Sequence, residues 1–307
     1  MEEMYDVIII GSGPSGLTAS IYTTRANLKT LVLGGRAWGG QLMLTTEVEN
    51  FPGFPEGIQG PDLMTNMRKQ AERHGAKILD VNYKDGDFAK KPFVLTTDDE
   101  KTYTANAVII ATGADTKWIG VPGEKEKIGR GVSSCAPCDG AFYRGKNVIV
   151  VGGGDSAMEE ALVMTKYANQ VTLIHRREEF RASEIMQKRV KENPKIKIIY
   201  NTEIVEVLGD VKVSGVKIKN NKTNAVSEMP IDGIFVAIGH TPNTAIFKGI
   251  DLDERGFIKV YNHTQTNIKG VFVAGDVHDS EYKQAVTAAG FGCMAALEVE
   301  KWLMDQA

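Results

Sequence analysis

Three cysteines, five histidines and a formal charge of only −3 in 307 residues remove several classes of function at the outset. An odd, sparse set of cysteines is a poor framework for a disulfide-stabilised secreted fold. Structural zinc takes about four ligands, and one Cys-x-x-Cys with scattered histidines does not supply them, so no metal is expected. The near-balanced charge leaves no electrostatic footprint for nucleic acid. No long apolar run or charged leader precedes the first strand-like segment, Tyr5 to Ile10. Neither a membrane span nor an export signal is therefore expected, and the expected location is the cytoplasm.

What is present belongs to an ordinary globular protein, with 42% hydrophobic and 24% charged residues. The length exceeds the usual single-domain size, so two domains are expected. A weak internal repeat supports that division. One copy runs Val7-Ile8-Ile9-Ile10 into Gly11-Ser12-Gly13-Pro14-Ser15-Gly16, a helical stretch to Ala26, and the strand Thr30 to Leu33. The other runs Asn147 to Val151 into Gly152-Gly153-Gly154-Asp155-Ser156-Ala157, a helical stretch to Lys166, and the strand Val171 to Ile174. Strand, glycine loop, helix, strand is the unit of a doubly wound nucleotide-binding domain.

Each copy closes on a similar apolar strand, ending at Ala111-Thr112-Gly113 and at Ala237-Ile238-Gly239. A third such strand, Val271 to Asp276, follows the second copy and needs a sheet to join. The expected fold is α/β with two Rossmann-like dinucleotide-binding domains, the second inserted into the first. Residues 1–115 and 247–307 form one domain, and 116–246 the other. Linkers near 113–123 and 240–247 supply a hinge, and a helix over about 282–304 packs on the first domain.

In the first loop Gly11 allows the tight turn, Gly13 admits a pyrophosphate to the backbone, and Gly16 permits close helix–strand packing. An acidic ribose partner is missing after the following strand, where Gly34-Gly35 stands, but the pyrophosphate loop is intact. In the second copy His175-Arg176-Arg177 and Arg181 occupy the strand end where an NAD site carries Asp or Glu. Guanidinium groups match phosphate oxygens, so this cluster suits the 2′-phosphate of NADP. The competing reading is a solvated basic stretch, since Glu178, Glu179 and Glu184 lie alongside.

Between the copies lies Cys135-Ala136-Pro137-Cys138, two thiols that can cycle between dithiol and disulfide. Two nucleotide cofactors nearby give them a source of electrons, from a nicotinamide through a flavin. Asp139 is placed to shuttle a proton, or is a plain turn or cap aspartate. Asp276, at the end of the third strand, is either a partner for a flavin ribityl chain or a helix cap. Cys293, in an apolar helix, reads as a small buried core residue.

These motifs together resemble the bacterial-type, low-molecular-weight thioredoxin reductases almost from end to end. The resemblance is carried by Gly39-Gly40-Gln41-Leu42, Thr46 to Gly53, Cys135 to Gly140, His175-Arg176-Arg177, Ala237 to Asn243 and Ala274 to Val277. It implies FAD bound by Gly11, Ser12, Gly13, Pro14, Ser15, Gly40, Gln41, Leu42, Asn50, Ala111, Thr112, Gly113, Gly275, Asp276, Lys283, Gln284 and Ala285. It implies NADPH bound by Gly153, Gly154, Asp155, Ser156, Ala157, His175, Arg176, Arg177, Arg181, Ile238 and Gly239. By the same resemblance Cys138 is the thiol nearest the flavin, Cys135 attacks the thioredoxin disulfide, and Asp139 is the acid/base. A homodimer and rotation of one domain against the other are also implied. Arg130 and Phe142 flank the thiol loop as candidate thioredoxin contacts, and Ala141 stands where the family often has an aromatic.

Other readings remain. A flavoprotein of a peroxide-reducing system carries additional thioredoxin-like domains before this region. A ferredoxin-fed reductase has no use for the arginine cluster, and a lipoamide-type dehydrogenase places its cysteines in the first domain at longer spacing. A non-catalytic NADP-responsive sensor needs no thiol pair.

Overall fold

Runs of β-branched and aliphatic residues build the centre of each half of the molecule, buried on both faces as parallel strands between two covering layers must be. The computed structural model describes residues 3–306. The chain divides into two compact units. One runs to Asp115 and resumes at Thr241; the other spans Thr116–His240. The second crossing comes earlier than the 246/247 division expected from the sequence. Asn243 and Thr244 already belong to the first unit, through Asn243 Nδ2 to Thr112 O at 3.1 Å and Thr244 Oγ1 to Gly256 O at 2.8 Å.

In the discontinuous unit the strands Lys77–Leu79, Thr30–Leu33, Met4–Ile10 and Thr102–Ile110 lie side by side in parallel. Thr102–Ile110 is long enough to serve two partners. Its first half pairs with the antiparallel Phe93–Thr97, and its last three residues pair in parallel with Val271–Val273. The late strand is therefore a member of the first sheet. The terminal helix, Ala285–Met304, covers that sheet together with the helix Pro14–Arg25, sealing Val7, Ile9, Val32, Ile109, Phe272, Ala295 and Val299 from water.

In the contiguous unit five parallel strands run in the order Val132–Ser133, Gly233–Val236, Asn147–Val151, Gln170–Ile174, Ile196–Ile199. The helix Asp155–Met164 packs Ala157, Met158, Ala161 and Met164 onto one face. On the other face lies a three-stranded antiparallel sheet, Thr202–Leu208, Gly215–Asn220 and Val226–Pro230, whose Ile204, Val207, Val216 and Ile218 close the core. No helix among the described residues is long and apolar enough to cross a membrane.

Candidate active site

The two glycine loops fold alike for the same steric reason. Gly11 lies at φ +115°, where a Cβ would come within 2.2 Å of Ala111 O. Gly152 meets the equivalent wall, since a Cβ there would lie 2.4 Å from Ala237 O. Each loop thus lies against the backbone just past its closing strand, and a side chain at either position would break that contact. A Cβ on Gly13 or Gly154 would meet nothing within 4 Å, so the third position of each loop faces open space. Helices start directly behind, with Gly13 and Gly154 as N-caps that make no side-chain capping bond. Their first N–H groups and the positive ends of their dipoles suit a pyrophosphate.

The walls around the first loop come from distant parts of the discontinuous unit. Ser12 donates to Gly34 O at 2.6 Å and accepts from Gly39 N at 3.0 Å, which ties the loop to the turn bearing Gly40. A Cβ on Gly40 would sit 3.8 Å from Gly13 Cα. The short helix Gly40–Leu44 carries Gln41, which bonds Asp115 Oδ1 at 3.1 Å, and Leu42. Thr112 Oγ1 donates to Asn243 O at 2.9 Å, and Gly113 O accepts from Asn243 N at 3.0 Å. Gly275 lies against Ser15, where a Cβ would meet Oγ at 2.7 Å. Lys283, Gln284 and Ala285 form the start of the terminal helix, with a capping box between Gln284 and Thr287, and Asn50 Nδ2 reaches Gln284 Oε1 at 3.3 Å.

Asp276 has a buried Oδ1 with no hydrogen-bond partner among the described residues. Burial pushes its carboxyl up to about 6, with Asp279 reinforcing and Lys283 opposing. An enclosed acceptor lacking a donor carries a free-energy cost that a hydroxyl-bearing ligand would relieve. The loop, the open position at Gly13 and this orphaned carboxylate fit the pyrophosphate and ribityl groups of FAD. Two neighbours escaped the sequence reading. Asp279 accepts the N–H groups of Glu281, Tyr282 and Lys283 and so shapes the approach to the helix. His278 packs edge-on to Phe291, its ring centroid 4.5 Å away, with Nε2 buried and unpaired among the described residues and its pKa lowered by burial.

Beside the second loop, Asp155 Oδ1 accepts from Ser183 N at 2.9 Å and Ser183 Oγ at 2.7 Å, and Arg181 N donates to Gly153 O at 2.7 Å. The segment bearing Arg181 is thereby fastened to the glycine loop. Arg176, Arg177 and Arg181 are exposed, and none forms an ion pair among the described residues. His175 differs from them. Its ring is buried under Gly153, packs on Phe180 at 5.2 Å, and bonds Glu179 O through Nε2 at 2.9 Å. Burial lowers its pKa, so at neutral pH it supports the basic segment as an uncharged prop. Ser156 is exposed at the loop, Ala157 is buried behind it, Ile238 is 40% exposed, and Gly239 opens to space at φ +106°.

The thiols belong to the same unit. Cys135 and Cys138 are joined in a disulfide across a single helical turn, Ala136–Asp139, with Cα atoms 5.3 Å apart. Cys135 N donates to Ser133 Oγ at 3.1 Å, and Cys138 N and Asp139 N both donate to Cys135 O. The turn lies on the helix Asp155–Met164. Gly140 fits against Tyr167 and Met164, where a Cβ would meet ring atoms at 2.8 Å. Burial raises the Asp139 carboxyl, an effect partly offset by the hydrogen bond from Ser133. Glu160, which sequence reasoning passed over, reaches under the turn and accepts Ala136 N–H at 2.5 Å. Burial drives its carboxyl up to about 7, against that hydrogen bond and with Glu159 and Asp139 adding repulsion. Its position was available from helical spacing, three residues after Ala157 and four before Met164 on the buried face. Arg130 and Phe142, 37% exposed, remain on the surface of this unit.

One expectation needs correction. Cys293 is not a core residue: it is half-buried, with its thiol beside the Tyr22 hydroxyl. Gly292 and Ala295 take the helix's buried face instead.

Comparison with known proteins follows the same lines. The family model for pyridine nucleotide-disulphide oxidoreductase matches residues 5–292. The chain is 50% identical over 309 residues to a thioredoxin reductase of Mycolicibacterium smegmatis, covering 99% of this chain and 98% of that one. It is 48% identical over 308 residues to a bifunctional thioredoxin reductase/thioredoxin of Mycobacterium leprae, covering 100% of this chain and 67% of that one. A solved thioredoxin reductase from Giardia duodenalis superimposes with a TM-score of 0.95 at 44% identity, over 99% of this chain and 100% of that one.

Proposed function

The chain belongs to the pyridine nucleotide-disulphide oxidoreductase family, and we propose that its two loops divide the cofactors, FAD in the discontinuous unit and NADPH in the contiguous one. It is an NADPH-dependent flavoenzyme that reduces the disulfide of thioredoxin. The observation that carries this reading is the Cys135–Cys138 disulfide on a turn docked against the helix of the second glycine loop. A sensor or a ferredoxin-fed enzyme needs no such pairing of thiols with a phosphate clamp.

Bound in the discontinuous unit, FAD would supply two-electron transfer between NADPH and a disulfide. The chain's own residues do the rest. Gly11 to Ser15 hold the pyrophosphate, while Asp276 accepts hydrogen bonds from hydroxyls that replace its missing partner. Arg176, Arg177 and Arg181 hold the 2′-phosphate and select NADPH over NADH. Cys138 is the thiol that would receive electrons from the flavin, and Cys135, as the thiolate, attacks the thioredoxin disulfide. Asp139 keeps a proton at pH values where a solvated aspartate has lost it, and delivers it to the departing thiolate.

The thiols and the NADPH loop share one unit, yet each must come into near contact with a flavin held by the other. Rotation about the two chain crossings between half-reactions satisfies both demands. A homodimer is supported by exposed apolar residues on the helices flanking the first loop, Tyr22 at 42%, Met294 at 40% and Leu297 at 51%. A thiol pair that must cycle through its reduced form, with a third cysteine left free, supports residence in the cytoplasm.

Stopped-flow absorbance tests the order of events. NADPH is expected to bleach the flavin of purified protein, and thioredoxin disulfide to restore it. A colourless, flavin-free preparation of the folded protein, or a bleached flavin that thioredoxin leaves unchanged, would refute the reading.

A further inference from the structure

The half-buried Glu160 has no part in the steps above. It lies under the thiol turn, bonded to the N–H of Ala136, the residue that follows Cys135. We propose that Glu160 is a positioning residue for thiol exchange, holding the disulfide turn by its backbone and setting, through its own ionisation, how readily the Cys135 and Cys138 thiols release their protons. The inference rests on the reading of this pair as the redox centre.

The surroundings of Glu160 make its charge matter. The groups that act on it are the Ala136 N–H, Asp139 from the turn above and Glu159 from its own helix, and no cation is among them. It forms no ion pair among the described residues. The helix Glu184–Lys191 packs against the same helix, but its Glu184, Lys188, Arg189 and Lys191 are exposed to solvent. Tyr143, also near Asp139, is buried and pushed up to about 12, so it stays neutral. A proton on Glu160 is consequently retained to about neutral pH, and its loss puts an uncompensated negative charge beside Asp139 and the thiols.

The sign follows. Below about pH 7 a neutral Glu160 leaves the thiols free to ionise at their own pKa. Above it, the carboxylate opposes the thiolate and keeps Asp139 protonated longer. Thiol titration in the wild type is spread over two steps, and removal of the charge collapses it to one.

The test uses full-length, flavin-loaded protein reduced with dithiothreitol. Iodoacetamide alkylation of the Cys135 and Cys138 peptide is followed by mass spectrometry against pH, which separates it from Cys293. Glu160→Gln keeps an acceptor for Ala136 N–H and loses only the charge; Glu160→Ala loses both. Both variants are expected to lose the inflection near neutrality and to alkylate at least about threefold faster near pH 8. A Glu160→Gln profile that superimposes on the wild type, with only Glu160→Ala altered, would reduce Glu160 to a scaffold and overturn the proposal. If the Gln profile shifts as expected while NADPH still fails to reduce the disulfide, the Glu160 assignment stands and the reductase reading falls.

Discussion

Replacing Gly292 by alanine sets two effects of opposite sign against each other. In the interior of a 20-residue helix, alanine is favoured over glycine by about 1 kcal/mol. Against this, a Cβ at Gly292 would lie 2.1 Å from Ser15 O and 3.1 Å from Ala19 N. Both are backbone atoms of the facing helix, which no rotamer change can move. Restoring an ordinary contact means parting the helices by more than 1 Å along a seam that seals Val7, Ile9, Ala295 and Val299. Overpacking of that kind costs about 1–3 kcal/mol or more, so the steric loss outweighs the propensity gain. Gly290 is the internal control, two positions away in the same helix, exposed, with nothing within 4 Å of its Cβ position. Gly290→Ala should raise stability by up to about 1 kcal/mol and Gly292→Ala should lower it by up to about 2 kcal/mol; the propensity gain cancels between them, leaving a difference of about 1–3 kcal/mol. Thermal unfolding at matched protein concentration, with and without added FAD, reads the difference. Because Ser15 also abuts Gly275, Gly292→Ala should lose flavin more readily on dialysis. Equal melting temperatures for the two variants would refute the claim that contact between these helices is limited by backbone.

Three further outcomes are expected. Cys138→Ser should abolish reduction of thioredoxin while NADPH still bleaches the flavin; equal loss of both steps would contradict the order of transfer. Neutral replacements of Arg176, Arg177 and Arg181 should cost about 1.5–3 kcal/mol of NADPH binding per charge-assisted bond lost, with NADH kinetics little changed. Unaltered NADPH-over-NADH selectivity would show that the arginines do something else. For Asp276, a folded-state pKa of about 6 lies above that of an unfolded aspartate, so the native state binds the extra proton. Stability from this group is present below about pH 4 and is lost as pH rises towards about 6. In flavin-free protein Asp276→Asn should therefore raise stability above pH 6 by at most about 3 kcal/mol, read as a higher melting temperature, while weakening FAD affinity. A variant that neither stabilises the flavin-free form nor weakens FAD affinity would mean that Asp276 does not face the ligand.

What could be read from the chain beforehand was whatever depends on neighbours in sequence. The two loops announce themselves because a strand that turns sharply into a helix requires glycine where a carbonyl comes close, as at Gly11 and Gly152. The thiol pair is equally local. Glu160 escaped notice because its burial depends on a turn from elsewhere docking on its helix, although its spacing from Ala157 and Met164 marked the face. Cys293 was misjudged for the opposite reason. Its helix is apolar nearly all round, so hydrophobicity alone could not say which side faces Ser15. His175 looked like part of a basic cluster, and only tertiary packing turns its ring beneath Gly153.

Chain order has a consequence for biosynthesis. The segment Thr116–His240 is one uninterrupted stretch and can assume its final form while the rest is still being translated. The other half must wait, because Val271–Val273 and the helix Ala285–Met304 follow that segment in the chain and the strands made first stay partly uncovered until then. Gly275 and Asp276 also follow that segment, so the half proposed to hold FAD is completed only after Thr116–His240 has been made.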